Sequence, residues 1–169
     1  MTLTATTAAV DATQGLGAAI AELARPGDLV LLAGELGAGK TALVQGFGRG
    51  LGITEAITSP TFMLARQHGG GRLMLHHLDV YRLEQMQEVF DLGLPEVLDE
   101  GGVTVIEWGD AIAPALPADY LELKLRFGEG DDDRLIEVHP VGPAWNARTR
   151  ALGQALSPWT AQPSEAGSG

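Results

Sequence analysis

The chain is short of several residue types, and each shortage excludes a class of chemistry. It has no cysteine among its 169 residues, which excludes disulfides, thiolate metal sites and thiol nucleophiles and is compatible with a reducing cytoplasm. Basic residues are scarce, because 11 lysines and arginines stand against 22 acidic residues, for a formal charge of -11. Such a surface repels a phosphate backbone, so we expect no strong direct binding of nucleic acid by this chain alone.

Long apolar segments are lacking as well. No stretch approaches the roughly 18 uncharged apolar residues of a membrane span, and the first residues, Met1–Thr7, do not resemble a signal peptide. We therefore expect a cytoplasmic protein. The length suits one domain with its own core, which we place at residues 1–158, with a closing helix over 145–156. Residues 159–169 are expected to form a disordered tail.

What is present is a glycine-rich stretch at Gly34–Thr41. It reads Gly-Glu-Leu-Gly-Ala-Gly-Lys-Thr and fits the phosphate-loop spacing G-x-x-x-x-G-K-[ST]. Its glycines let successive backbone N–H groups turn toward a phosphate. Lys40 can reach the β- and γ-phosphates, and the Thr41 hydroxyl can bind Mg²⁺ at the first turn of a helix. The pattern predicts a nucleoside triphosphate site; the alternative is a glycine-rich turn without a ligand.

The flanks of this loop have the pattern of a strand before it and a helix after it. Residues 28–33 contain a continuous apolar run, as in a buried strand. After the loop, apolar residues at helical spacing predict a buried stripe made by Leu43, Val44, Phe47 and Leu51. Upstream, residues 2–8 favour an edge strand, and Asp11 with Gln14 resembles a capping box for the helix that follows.

The expected architecture is a single α/β phosphate-loop NTPase domain. We expect a central, mostly parallel sheet with antiparallel hairpins added and with helices on both faces. One hairpin is predicted from the strand-like segments 62–67 and 72–79, which a triple glycine joins. The other is predicted from segments 120–126 and 135–139, which flank an acidic turn.

A second, polar loop is predicted at Thr58-Ser59-Pro60-Thr61, after the helix that follows the glycine-rich loop. Pro60 biases Ser59 toward an extended conformation, so the helix does not continue here. The segment is either an ordinary polar turn or a switch-like loop that senses the γ-phosphate through a hydroxyl.

Two polar residues end the second strand of the first hairpin. His77 and Asp79 are two residues apart and therefore lie on one face of the strand. Taken alone, they are a structural histidine and an exposed aspartate. With a phosphate loop upstream, the spacing favours a pair that positions a metal or the attacking water.

An acidic residue also ends a later strand. Val103-Thr104-Val105-Ile106 is a short apolar run, and Glu107 follows it. An acid at the carboxyl end of a parallel strand lies where such sheets bind ligands and where nucleotide hydrolases hold the magnesium ion. A purely structural glutamate is the alternative.

Arg134 stands at the end of the acidic turn 129–133. Two interpretations have equal support from the sequence: a solvated neighbour of three aspartates, or a group that reaches the nucleotide.

Together these motifs closely resemble the TsaE family, the ATPase component of the bacterial machinery that makes threonylcarbamoyladenosine in tRNA. The resemblance covers roughly residues 10 to 140. The phosphate loop is shared by many families, but its combination with three further motifs is specific: Ser59-Pro-Thr61, His77-Leu-Asp-Val-Tyr-Arg82 and Glu107-Trp108. The resemblance implies binding of ATP and Mg²⁺ and work with the partner proteins TsaB and TsaD, the latter being the transferase. ATP hydrolysis would support repeated turnover of the transferase.

The resemblance also implies roles for individual residues. Thr41 and Glu107 would bind Mg²⁺, and Asp79 would be the catalytic carboxylate, with Lys40 as the catalytic cation. The nucleotide would be bound by Leu36, Gly37, Ala38, Gly39, Lys40, Thr41, Thr61, Trp108 and Arg134.

One position departs from the family pattern. Asp110 stands where the family usually has glutamate in Glu-Trp-x-Glu, and its shorter side chain leaves it without an assigned ligand role. No arginine finger follows from the spacing. Arg82 or a partner's arginine would supply that charge, so we expect slow hydrolysis by the chain alone.

Three other function classes fit a phosphate loop. A small-molecule kinase needs an acceptor pocket and usually an arginine-bearing lid, and the acidic segment 84–100 offers neither. A GTP switch of the common sort reads guanine with Asn-Lys-x-Asp, whereas the one asparagine here, Asn146, precedes Ala147. A non-catalytic nucleotide-binding adaptor is the third.

Overall fold

The computed structural model describes residues 2–35, 37–57, 65–80, 99–108 and 119–160, without the side chains of Ala65, Val80 and Trp108. The strands are β1 (Leu3–Thr7), β2 (Leu29–Gly34), β3 (Ala65–His68), β4 (Leu75–Val80), β5 (Val103–Trp108), β6 (Tyr120–Phe127) and β7 (Arg134–Val141). The helices are α1 (Val10–Ala21), α2 (Lys40–Gly50), α3 (Pro143–Asn146) and α4 (Thr149–Ala155). Within these described ranges no helix is long and apolar enough to span a bilayer.

The seven strands form one sheet in the order β1-β7-β6-β2-β5-β4-β3. Its four central strands, β6, β2, β5 and β4, run parallel to one another. Both predicted hairpins are confirmed, because β3 pairs antiparallel with β4 and β6 pairs antiparallel with β7. The predicted edge strand is confirmed too, since β1 pairs antiparallel with β7. The sheet is therefore parallel at its centre and antiparallel at both edges.

Helices α1 and α2 pack against each other and against one face of the sheet. The predicted α2 stripe is buried in full, and alternate residues of the central strands, such as Val30, Leu32 and Val105, share its cluster. The two helices approach closely because glycines line their contact. A Cβ atom at Gly46 would overlap the backbone of Gln14.

The second face of the sheet is buried as well, at residues such as Leu31, Leu78 and Ile106. The predicted helices on this face fall on residues outside the described ranges.

The predicted capping box at the start of α1 is wrong. The N-cap is Ala9, in an extended conformation, and no side chain caps the helix. The helix begins at Val10, so Asp11 already lies in its first turn. There its negative charge interacts favourably with the positive end of the helix dipole. Gln14 turns away from its own backbone and donates its amide to Gln45 of α2, at 3.1 Å.

The predicted closing helix is two helices, α3 and α4, that meet at Arg148. The backbone of Arg148 leaves the helical region, and its guanidinium forms a two-pronged ion pair with buried Asp28 at 2.6 and 2.8 Å. The guanidinium also stacks on Trp145, 3.9 Å from the ring centroid. This ion pair fastens the end of the chain to the start of β2.

Two residues beyond the expected domain boundary at residue 158 pack against the domain. Trp159 packs on the core and accepts a backbone hydrogen bond from Thr6 of β1 at 2.8 Å. Thr160 forms a β-bridge with Ala5. Residues 161–169, the rest of the predicted tail, lie outside the described ranges.

The close contact between α1 and α2 predicts a large cost for a single methyl group. Gly46→Ala should lower the free energy of unfolding by about 3 kcal/mol, because the methyl group has no space against a helix backbone. Urea denaturation followed by circular dichroism measures this cost. Gly153→Ala in α4 is the matched control, since its methyl group meets nothing within 4 Å. Equal stability of the two variants would contradict the packing described here.

Burial of His76 on β4 predicts a pH dependence of stability. Desolvation lowers the pKa of His76 below its ordinary value of 6.5, and the charge of Glu100 opposes this only in part. The unfolded chain therefore takes up a proton on this side chain before the folded chain does, so stability is lost as the pH falls below about 6.5.

His76→Leu should remove this component. Urea denaturation between about pH 7.5 and about pH 5.5 should show a smaller loss of unfolding free energy for the variant than for the wild type. An identical loss in both proteins would exclude His76 as a source of the dependence.

Candidate functional site

The glycine-rich loop lies at the carboxyl ends of the central parallel strands, between the end of β2 and the start of α2. The backbone of the loop requires glycine at three positions, for two different steric reasons. A Cβ at Gly34 would lie 2.7 Å from the backbone oxygen of Leu125 on β6. Gly37 and Gly39 have φ angles of 85° and 100°, which side-chain-bearing residues rarely adopt. The loop is therefore a conformation that the glycines of the motif make possible.

The first turn of α2 begins inside this loop. Gly39 is the N-cap, and no side chain forms a capping hydrogen bond there. The helix N-terminus thus presents backbone N–H groups and the positive end of its dipole, an arrangement that favours an anion. Lys40 and Thr41 are the first two residues of the helix, and both are partly exposed.

Glu107 of β5 lies beside this helix start, as the sequence predicts. Its side chain is only 2% exposed. One carboxylate oxygen, Oε1, lies 3.5 Å from the Thr41 hydroxyl, and the other, Oε2, accepts a hydrogen bond from Nε2 of His77 on β4. A buried carboxylate is costly unless it is paired, and these two neighbours provide the pairing.

Asp79 lies next to Glu107 because of the strand register. Their Cα atoms are direct partners in the parallel pairing of β4 with β5. Asp79 is 6% exposed and shares its face of β4 with His77, as predicted. The structure therefore brings two buried carboxylates and a histidine to the end of the sheet where α2 begins.

Arg134 lies against the other side of the loop. Its guanidinium donates a hydrogen bond to the Gly37 carbonyl at 3.3 Å and lies 4.9 Å from the ring centroid of Phe127. Two further hydrogen bonds, each 2.8 Å, reach the carbonyls of Asp131 and Asp133. Arg134 therefore contacts both the acidic turn and the glycine-rich loop, so its position agrees with either interpretation of the sequence.

Three features of the site have no clear signal in the sequence. A groove of about 660 Å³ lies beside the loop, lined by the segments 33–35 and 124–127. Thr13 of α1 lies below Gly39, 3.7 Å from the position of a Cβ there, and it hydrogen-bonds Thr7 at 2.7 Å. Both depend on which strands and helices are neighbours. The hydrogen bond from His77 to Glu107 has the same origin, since only the histidine's face was predicted.

Several expected site residues lie outside the described ranges. These are Leu36, Thr61, Arg82 and the side chain of Trp108, and Asp110, which has no assigned role, lies outside them too.

Comparison with known proteins identifies the family. The family model described as threonylcarbamoyl adenosine biosynthesis protein TsaE matches residues 7–136. A tRNA threonylcarbamoyladenosine biosynthesis protein TsaE of Bacillus subtilis is 42% identical over 130 residues, covering 77% of this chain and 80% of that protein. The protein with the same name in Streptomyces coelicolor is 44% identical over 136 residues, covering 77% of this chain and 91% of that protein.

A solved structure agrees with the fold. The crystal structure of Bacillus subtilis YdiB superposes with a TM-score of 0.75 at 35% identity, covering 94% of this chain and 95% of that one. Its likeness extends beyond the family match into the closing helices. With a family match over most of its length and relatives above 40% identity, this chain belongs to the TsaE family.

Proposed function

We propose that this chain is a magnesium-dependent ATPase that supports the synthesis of threonylcarbamoyladenosine in tRNA, in a cytoplasmic complex with TsaB and TsaD. The pathway is the one printed in the names of its relatives. One observation carries the proposed activity: a buried carboxylate, Glu107, lies 3.5 Å from the hydroxyl of Thr41, directly after the glycine-rich loop. A nucleotide hydrolase needs this pair of oxygen donors beside its phosphate cradle.

The loop suits a triphosphate. Its glycines keep side chains out of the cradle, the uncapped start of α2 favours anions, and Lys40 adds a positive charge. The chain is otherwise acidic, with a formal charge of -11. Local backbone dipoles and Lys40 therefore have to overcome a repulsive overall charge, which a short-range cradle of N–H groups can do.

The donor set suits Mg²⁺. The two candidate donors are a hydroxyl and a carboxylate, whose oxygens lie 3.5 Å apart. Mg²⁺ is commonly bound by one or two protein oxygens together with phosphates and waters. Thr41 and Glu107 would provide these protein oxygens. The ion, when bound, would neutralise charge on the phosphates.

Asp79 would orient the attacking water. Asp79 is the direct strand neighbour of Glu107 and is buried at the same end of the sheet. A carboxylate in this position accepts a hydrogen bond from the water and aligns it with the terminal phosphate. Water exclusion around both carboxylates strengthens these interactions.

Arg134 would contact the nucleotide from the opposite side of the loop. Its hydrogen bond to the Gly37 carbonyl places a fixed positive charge beside the phosphate cradle. We expect slow hydrolysis by the chain alone, with an arginine from TsaB or TsaD, or Arg82, adding charge at the transition state. Partner-stimulated hydrolases gain their rate in this way. The tRNA would be held by the partner proteins, because this chain is acidic.

The first test is ATP hydrolysis by the purified chain with Mg²⁺, alone and with TsaB and TsaD. We expect slow turnover alone and a clear increase with the partners. Asp79→Asn should still bind ATP but lose about 100-fold in hydrolysis rate, because it keeps the shape of the side chain and loses the charge. Hydrolysis that is unchanged in this variant would contradict the role of Asp79. Unchanged support of tRNA modification by an inactive variant would instead favour a nucleotide-binding adaptor.

The second test concerns Arg134. Arg134→Ala should weaken ATP binding about tenfold, since a hydrogen bond to a charged group contributes about 1.5 kcal/mol. Calorimetric titration measures the affinity. Arg150→Ala is the matched control, because Arg150 is exposed on α4. The N-cap of that helix is Arg148, whose partner Asp28 precedes β2, whereas the loop follows the other end of β2. Equal affinity of both variants for ATP would place Arg134 outside the nucleotide site.

A further inference from the structure

His77 is the one buried histidine of β4 that faces the candidate site. Its side chain is fully buried, at 0% exposure, and it shares a face of the strand with Asp79. Its Cα atom pairs with that of Val105 on β5, two residues before Glu107. The imidazole therefore reaches along the sheet, and its Nε2 atom meets the Oε2 atom of Glu107.

The hydrogen-bonding pattern assigns the imidazole proton. An ionised carboxylate can only accept, so Nε2 of His77 has to donate to Glu107. The other ring nitrogen, Nδ1, is buried and has no hydrogen-bond partner among the residues that the structure describes. A proton on Nδ1 would be a buried donor without an acceptor, which is costly. A proton on Nε2 fits both observations.

Packing alone does not explain a histidine in this position. A leucine would fill similar space without leaving a polar atom buried and unpaired, as Nδ1 is here. What the histidine adds is a donor for one particular oxygen of Glu107. With Oε2 occupied by His77, the second oxygen, Oε1, is the one that faces the Thr41 hydroxyl.

We propose that His77 is a positioning residue that orients the Glu107 carboxylate toward Thr41 and thereby sets how strongly Mg²⁺ supports nucleotide binding. This inference rests on the proposed function, because it concerns the same magnesium-nucleotide site. Without the donor, Oε2 would be buried and unpaired, and the carboxylate would rotate to find another partner. Residues that hold a metal ligand through a hydrogen bond commonly change metal affinity 10-fold to 100-fold.

Three substitutions separate the donor from the volume of the ring. His77→Gln places an amide N–H at the same number of bonds from the backbone as Nε2. His77→Asn places its N–H one bond shorter, at the level of Nδ1. His77→Leu keeps apolar volume and removes the donor. The matched control is His76→Leu, because His76 is the next residue of β4, is 3% exposed and projects to the opposite face of the sheet.

The experiment measures the affinity of each full-length variant for ADP and for a non-hydrolysable ATP analogue by calorimetry, in Mg²⁺ and again in EDTA. We expect His77→Leu to bind at least tenfold more weakly than the wild type in Mg²⁺ and equally in EDTA. His77→Gln should restore most of the magnesium dependence, and His77→Asn should not. His76→Leu should bind like the wild type in both buffers. A purely structural role would weaken binding equally with and without the metal.

Two results with His77→Leu and the wild type would overturn the inference. Only the second of them would also contradict the proposed function. If the wild type binds more tightly in Mg²⁺ and His77→Leu shows the same gain, the positioning role fails while the proposed function stands. If the wild type shows no gain from Mg²⁺, the proposed function fails as well. If His77→Leu does not fold, the comparison of His77→Gln with His77→Asn tests the inference instead. Equal dependence of nucleotide affinity on Mg²⁺ in these two variants would contradict a role for a donor at the position of Nε2.

Discussion

The candidate site depends on one buried carboxylate and on what holds it. Glu107 is almost fully buried, yet each of its oxygens has a polar neighbour, the Thr41 hydroxyl on one side and the His77 imidazole on the other. These neighbours come from two different elements. Thr41 belongs to α2, which follows the glycine-rich loop, and His77 belongs to β4, which pairs with β5. An unpaired carboxylate in this position would be strongly destabilising, so the arrangement is both a structural requirement and a preformed set of oxygen donors.

The rest of the fold keeps this arrangement in place. Glycines bring α1 and α2 together so closely that their backbones touch, which holds the helix that follows the glycine-rich loop. At the opposite end of β2, the ion pair between Asp28 and Arg148 fastens the chain's closing helices to the start of that strand. The loop therefore follows a strand that is restrained at both ends, by the ion pair at its start and by the packing of α2 after its end. Such restraint would suit the proposed ATP hydrolysis, because phosphoryl transfer depends mostly on positioning.

Predictions from local patterns were largely confirmed. The buried stripe of α2, both hairpins and the shared face of His77 and Asp79 follow from the periods of helices and strands, which depend on neighbouring residues alone. The capping box failed because the N-cap of α1 is Ala9, two residues before the predicted Asp11, and because Gln14 bonds to α2 instead. The single closing helix failed because Arg148 is drawn out of helical geometry by Asp28, 120 residues away in sequence. Neither competing contact can be read from a local window.

The sequence by itself determined the glycine-rich loop, the strand before it, the helix after it and the acids at the ends of two later strands. Glycine's freedom at positive φ, the alternation of strand side chains and the spacing of the motif are properties of short segments, so they are legible without a fold. The tertiary structure adds that β5 lies between β2 and β4. It also adds that Glu107, which the motifs already pair with Thr41, is hydrogen-bonded to His77. It also decided that Arg134 rests on the loop. Strand order is set by the joint burial of residues distant in the chain, and no local pattern carries that information.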